Sequence, residues 1–266
     1  MIKLLIFFIF LNYFLNEVNV GCFSLTGTLQ NVNSFSNNKL SETFSNGNSL
    51  KKRRNYMADK FNHEVSKNVP EWLDQVVGGL LLSDATLRLT EKHVLMGIQQ
   101  AHEELTKKVC QMCFDFKLVL NDILIIQRKK EKPVYSFQTL TLPYFTYIYN
   151  EWHYILEGKR FKKLPSNLEK LFTPLAFAFL IMGAGGWVKH PSRIVNSTNW
   201  FTLDETKKLQ SILLINFNIN SYLVKTTSAH LINRGFIIKI PHKEVYKVRE
   251  LLLPYTYPTL KYNLGL

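Results

Sequence analysis

The spacing of apolar positions changes period several times along the chain, and each change marks an element. Residues 1–15 are almost continuously apolar after a lone Lys3, the shape of a signal-peptide core, although no A-x-A-like cleavage site follows. The run is short for a spanning helix, and an upstream coding extension outside the fold accounts for it as well. Its lack of arginine disfavours an imported mitochondrial precursor. Residues 22–50 are rich in Asn and Ser, among them Asn37, Asn38, Ser45 and Asn46, and close on Lys51-Lys52-Arg53-Arg54. Such a segment buries too little apolar surface to offset its ordering entropy and reads as a disordered linker.

Past Pro70 the pattern becomes periodic. Glu71-Trp72-Leu73-Asp74 opens a predicted helix with acids in its first turn, which runs through Val76, Gly78, Gly79 and Leu82 to Ser83-Asp84-Ala85. Thr86-Leu87-Arg88-Leu89 alternates as a strand with one wet face, and 93–100 reads as a second strand. Residues 101–120 carry Leu105, Val109, Met112, Cys113 and Phe116 at helical spacing. Strands near 124–127 and 134–140 follow, joined by Arg128-Lys129-Lys130-Glu131-Lys132, and then a helix near 143–154.

The same order then returns. An apolar helix from Pro174 to Met182 stops at Gly183-Ala184-Gly185-Gly186, strand-like sequence runs to Phe201, and 202–216 reads as a helix. Strands at 220–225 and 235–240 and a helix near 243–253 complete the series. Asp84 and Ala184 lie 184 − 84 = 100 residues apart, so the pattern is a two-fold repeat of αββαββα units. The expected organisation is α+β, with leader and linker over 1–69 and units over 70–165 and 166–266.

Composition narrows the chemistry. With 46% hydrophobic residues in 266, global disorder is excluded, and three cysteines cannot make a disulfide scaffold. The 33 Lys+Arg against 20 Asp+Glu give a net charge of +13, which points to a polyanionic partner. Cys110 and Cys113 have CxxC spacing but no second ligand pair, and both fall near the buried stripe of their helix, so core packing is expected. The histidines show no HExxH or HxxxH pattern, and Gly183–Gly186 lacks the GK[ST] end of a phosphate loop.

The two apolar helices carry small residues, Gly78, Gly79, Ala176 and Ala178, that would let their backbones approach closely. Their C-terminal tips would then lie side by side between two antiparallel sheets. An acid at each tip would suit a divalent metal and phosphodiester cleavage, and basic β-ribbons fit a major groove.

Val77-Gly78-Gly79-Leu80-Leu81-Leu82-Ser83-Asp84-Ala85 resembles the first motif of the two-motif, single-chain LAGLIDADG homing endonucleases, and Phe177-Ala178-Phe179-Leu180-Ile181-Met182-Gly183-Ala184-Gly185 resembles the second. Thr139–Phe145 and Gly158-Lys159-Arg160-Phe161-Lys162-Lys163-Leu164-Pro165 resemble the lead-in to the second motif, Asn199–Glu205 resembles the opening of the next helix, and Pro254–Leu264 the family's ending. The resemblance covers roughly Pro70 to Leu266. It implies a monomer with a pseudo-two-fold β-saddle on double-stranded DNA, Mg²⁺ as cofactor and no small-molecule substrate.

It also implies that the eighth motif residue is the metal-binding acid. Asp84 matches that position, whereas Ala184 brings no side-chain oxygen to the second, and no Asp or Glu stands between Ala184 and Trp200. Nicking, or binding without cutting, is therefore expected in place of double-strand cleavage. The expected DNA contacts are Arg88, Arg128, Lys129, Lys130 and Lys132 from the first unit, and Lys189, Arg193, Lys225, Arg234 and Lys239 from the second. Lys159, Arg160, Lys162 and Lys163, between the units, are expected to hold phosphates near the cut. The alternative is a non-cleaving intron maturase that binds RNA or DNA. Either way the resemblance implies an organelle-encoded protein, mitochondrial with plastid as the alternative.

Overall fold

The computed structural model describes residues 58–127, 132–198, 200–226 and 235–266, all within one compact unit, Lys52–Leu266. The leader, the Asn/Ser-rich linker with its basic run, Arg128, Lys129, Lys130, Asn199 and Arg234 lie outside the described residues. Residues 58–67, placed in the leader-and-linker region over 1–69, are a helix, α1. Phe61 and Val65 stand one turn apart on it, Val65 is buried, and the Ser66 hydroxyl accepts from the Tyr144 amide.

The first repeat then unfolds in the expected order: α2 (Glu71–Leu82), β1 (Thr86–Leu89), β2 (Val94–Gln100), α3 (Glu103–Asp115), β3 (Leu124–Ile126), β4 (Val134–Gln138) and α4 (Pro143–Trp152). The second gives α6 (Pro174–Ala184), β7 (Gly185–Val188), β8 (Arg193–Asn196), α7 (Leu203–Phe217), β9 (Tyr222–Lys225), β10 (Phe236–Pro241) and α8 (His242–Leu252). Each repeat makes a four-stranded antiparallel sheet with the same topology, β1-β2-β4-β3 and β7-β8-β10-β9.

Further elements lie outside the repeat as read from the sequence. The expected helix near 143–154 ends at Trp152, and His153–Leu156 (β5) turns back on Lys159–Lys162 (β6) through Glu157 and Gly158. Both turn residues have positive φ, 50° and 71°, as a tight two-residue hairpin requires. A short α5 (Leu168–Leu171) precedes α6, and the C-terminal segment is a 3₁₀ helix over Pro258–Leu264.

α2 and α6 form the centre of the core, with every residue from Val76 to Leu82 and from Leu175 to Met182 buried. A helix apolar all round must be enclosed on all sides, and α6 packs against α2, α8, β7, β8 and the C-terminal segment. The small residues make the crossing possible: a Cβ on Gly79 would stand 2.3 Å from the Ala176 carbonyl oxygen and 2.8 Å from Phe179 Cβ. At the tips, a Cβ on Gly183 would stand 2.4 Å from Ser83 Oγ, so the two helix ends meet where the motifs end. Cys110 and Cys113 are free and buried, with thiols raised by desolvation to about 11 for Cys110 and beyond the ordinary range for Cys113, as core packing requires.

Candidate active site

Side chains alternate across a strand, so parity sorts the residues of each sheet. In the first sheet Leu87, Met96, Ile98 and Phe137 face the helices, leaving Thr86, Arg88, Gly97, Gln99, Ser136 and Gln138 on the outer face. Arg88 is exposed there and donates to Gln138 Oε1 at 3.1 Å. Lys132 is exposed in the segment before β4. In the second sheet Ile194, Ile238 and Ile240 face inward, so Arg193 and Lys239 share the outer face, and exposed Lys189 sits in the β7–β8 turn.

The same parity sets two of the expected contacts apart from the outer faces and the first tip. Lys225 is directly opposite Phe236 and shares the inward parity of Leu223 and Ile238, so it leaves the outer face. On β6, Lys159 lies opposite Leu156 on the face of Tyr154 and Phe161, whereas Arg160 and Lys162 lie on the opposite face with His153. Lys163 falls beyond β6, its amide bonded to the Trp152 carbonyl at 2.8 Å.

Arg160 and Lys162 are the residues that reach the first tip. A cavity of about 410 Å³ there is lined by Ser83, Asp84, Thr86, His153, Arg160, Lys162 and Trp200, among others. Asp84 also borders a 660 Å³ trough along the outer face with Arg88, Gln99, Gln100, His102 and Gln138. The acid therefore stands where the tip cavity joins the outer face of the sheet. Lys162 Nζ donates to the Leu81 carbonyl in the last turn of α2, and its ammonium lies 5.6 Å from the Phe201 ring. The Arg160 guanidinium donates to the Leu87 carbonyl at 3.1 Å and covers the Tyr149 ring at 5.7 Å.

The charges at the tip are coupled. Desolvation raises the Asp84 carboxyl above the usual carboxylate range, against the opposing pull of His102, Lys162 and the hydrogen bond from Gln100 Nε2 at 3.4 Å. Burial pushes the Lys162 ammonium down to about 8, with Asp84 opposing. Burial also takes His153 down to about 4, and Arg160, Lys162 and Lys163 push it the same way. An acid at a helix C-terminus opposes the helix dipole. At the end of α2, Lys162 offsets both the acid and the last-turn carbonyls.

Hard divalent cations take oxygen ligands, and Mg²⁺ keeps several of its own waters beside one or two carboxylates. The tip offers the Asp84 carboxylate and Gln100 Oε1, a buried oxygen with no hydrogen-bond partner. These are oxygen donors of the kind that would hold a hydrated Mg²⁺. Among the described residues no group of three or more His, Cys, Asp or Glu could hold a metal, so a complete protein cage is absent there. Gln100, His102 and Trp200, the last 56% exposed, were not legible as site residues in the sequence. Gln100 and His102 sit where β2 leads into α3, and only the fold brings them to Asp84.

With this geometry in place, the comparisons with known proteins agree. The profile of the LAGLIDADG DNA endonuclease family matches residues 74–248, and the chain belongs to that family. A cytochrome b mRNA maturase bI2 of Debaryomyces hansenii is 32% identical over 136 residues, 51% of this chain and 48% of that protein, so the chain spans about half its length. A protein of Mycosarcoma maydis named "Probable intron-encoded DNA endonuclease 3" is 24% identical over 131 residues, 49% of this chain and 92% of its own. The solved structure of the homing endonuclease I-WcaI bound to its DNA recognition sequence superposes with a TM-score of 0.64 at 22% identity, covering 76% of this chain and 90% of that one. That likeness establishes the shared fold.

Proposed function

We propose that the chain is a monomeric, site-specific DNA-binding nuclease in which only the first helix tip cuts, so that it nicks one strand of a double-stranded target. The observation that carries this reading is the asymmetry of the tips: Asp84 stands with Lys162 and Gln100 at a cavity opening onto the outer face, and α6 ends on Ala184. Asp84, with Gln100 Oε1 beside it, would hold Mg²⁺, which when bound would supply the Lewis acidity that phosphodiester hydrolysis needs. Lys162 and Arg160 neutralise the phosphate being cut, and Trp200 shields the cavity from bulk water. Arg88, Lys132, Lys189, Arg193 and Lys239, with Lys163 beside the hairpin, position the duplex through its phosphates, while Gln99, Ser136 and Gln138 have the donors and acceptors to read base edges. No small-molecule substrate is involved.

The test is a supercoiled-plasmid assay in Mg²⁺, on a sequence selected by binding from a random duplex library. Wild-type protein converts supercoiled plasmid to open circle, and Asp84→Asn abolishes the conversion. Rapid accumulation of linear product by the wild type would refute the single-tip reading. A second reading, a non-cleaving maturase acting on intron RNA, is favoured by the D. hansenii relative's name. Intron-transcript binding unaffected by chelator and by Asp84→Asn, with no nicking, would establish it. Under both readings we place the protein in the mitochondrion, encoded by an intron.

A further inference from the structure

Leu81 and Ile181 occupy equivalent places in the two central helices, each three residues before its tip residue, since 84 − 81 = 184 − 181 = 3. Each carbonyl receives one side-chain donor from a distant segment. Leu81 accepts from Lys162 Nζ, and Ile181 accepts from Asn263 Nδ2 at 3.3 Å. The donors come from equivalent points in the chain as well. Each follows the last helix of its repeat, α4 or α8, and is followed closely by a buried leucine, Leu164 or Leu264. Asn263 is 3% exposed, so its amide is committed to the tip.

We infer that Asn263 holds at the second tip the place Lys162 holds at the first, so that the charged pair Asp84–Lys162 is matched by a neutral pair, Ala184–Asn263. This rests on the single-tip reading and deepens it. The second tip lacks its acid and also the cation that would stand beside that acid, and restoring the carboxylate alone does not restore a cutting site.

The physical reason is that the two losses belong together. A buried ammonium whose acid has been removed is an uncompensated charge, which is strongly destabilising, whereas a neutral amide still satisfies the carbonyl without one. Once position 184 is alanine, asparagine at 263 keeps the hydrogen bond to Ile181 and removes the charge. The C-terminal segment then serves as a brace between the repeats. The Thr259 amide donates to Glu104 at 3.2 Å, and Arg249 bonds the Leu264 and Gly265 carbonyls at 2.8 and 2.9 Å.

The test needs neither metal nor DNA in its first arm. Thermal unfolding of the full chain is measured in chelator for the wild type, A184D, N263K and A184D/N263K. Each single substitution is expected to lower the midpoint by several degrees, and the double variant to recover at least half of the summed loss. Additive losses overturn the pairing. If A184D/N263K does not fold, the first tip decides: D84A/K162N is expected to be more stable than D84A, and failure to gain stability overturns the pairing. The second arm uses the selected plasmid in Mg²⁺. A184D still only nicks, whereas A184D/N263K yields linear product, and linearisation by A184D alone overturns the role given to Asn263. A wild type that fails to nick while the unfolding cycle shows coupling overturns the cutting reading and leaves the pairing standing, so the two failures are distinct.

Discussion

At the end of α2 an acid, a lysine, a glutamine oxygen and a histidine converge within one cavity and trough. Asp84 lies in a turn beyond the end of α2, whereas α6 runs through Ala184 directly into β7, and the side chain on its last turn is Asn263. The two repeats share their sheet topology and meet at the crossing of their central helices. What separates them is a handful of side chains whose charges depend on one another. A fold of this kind can lose the chemistry of one half without losing its architecture, because the central helices are held by glycines, alanines and phenylalanines that take no part in the reaction.

The largest effect that can break this comparison is at Asp84. Asp84→Asn is expected to reduce nicking by ~10²–10³-fold while target affinity changes little, because it removes charge stabilisation from the reacting centre alone. Gel-shift titration beside the plasmid assay separates the two; a parallel loss of binding would assign Asp84 to duplex recognition instead.

Gly79→Ala serves as the symmetric control. Its Cβ would collide with the Ala176 carbonyl and Phe179, so the helix crossing must open, at a cost of ~1–3 kcal/mol. Chemical denaturation should show this, with the two tips disturbed together. A neutral result would mean that the crossing is looser than its geometry.

Lys162→Met sharpens the comparison by making the first tip resemble the second in charge. Nicking should fall by ~10–10²-fold, a phosphate contact's share of the barrier. Stability gives a second readout through its pH dependence. The folded Lys162 titrates at about 8 and an unfolded lysine near 10.5, so the unfolded chain binds more protons between those values. Wild-type stability therefore rises as pH climbs from about 8 to 10.5, and Lys162→Met lacks that rise. At pH 7 the variant should be less stable, because the Asp84 carboxylate and the Leu81 carbonyl lose the cation that faces them. Denaturant midpoints across that pH window check the sign. Wild-type nicking should decline above about pH 8 as the ammonium is lost, and also at acid pH as the raised Asp84 carboxyl protonates.

The smallest effects separate the faces of the sheets. Arg88→Ala should weaken DNA binding by ~1 kcal/mol and flatten the salt dependence by about one counterion, whereas Lys225→Ala, of inward parity, should leave both unchanged. Equal losses from both would mean that the outer faces are not the duplex surface.

The sequence exposes much of this architecture because its signals are local. The 100-residue spacing of the helix ends, the acids opening α2 and the alternation of Thr86–Leu89 are each carried by neighbouring residues. Basic strand residues were legible as a set and illegible as a face: Lys225 and Lys159 are as basic as Arg88 and Lys162, and only strand pairing assigns them to opposite sides. The β5–β6 hairpin was hidden because its residues read as the end of a helix and the lead-in to the second motif, although Glu157-Gly158 carries a turn signal. Helix α1 was obscured by sparse apolar residues. The meeting of Asp84 with Lys162, 78 positions later since 162 − 84 = 78, belongs to the tertiary structure, and so does the matching of Asn263 to Lys162.

The central claim is that one tip of two retains the chemistry. Mapping both strands of the selected duplex on a denaturing gel after incubation in Mg²⁺ tests it directly. The account predicts a single cut confined to one strand and absent with Asp84→Asn; matched cuts in both strands, or a cut that survives Asp84→Asn, would contradict it.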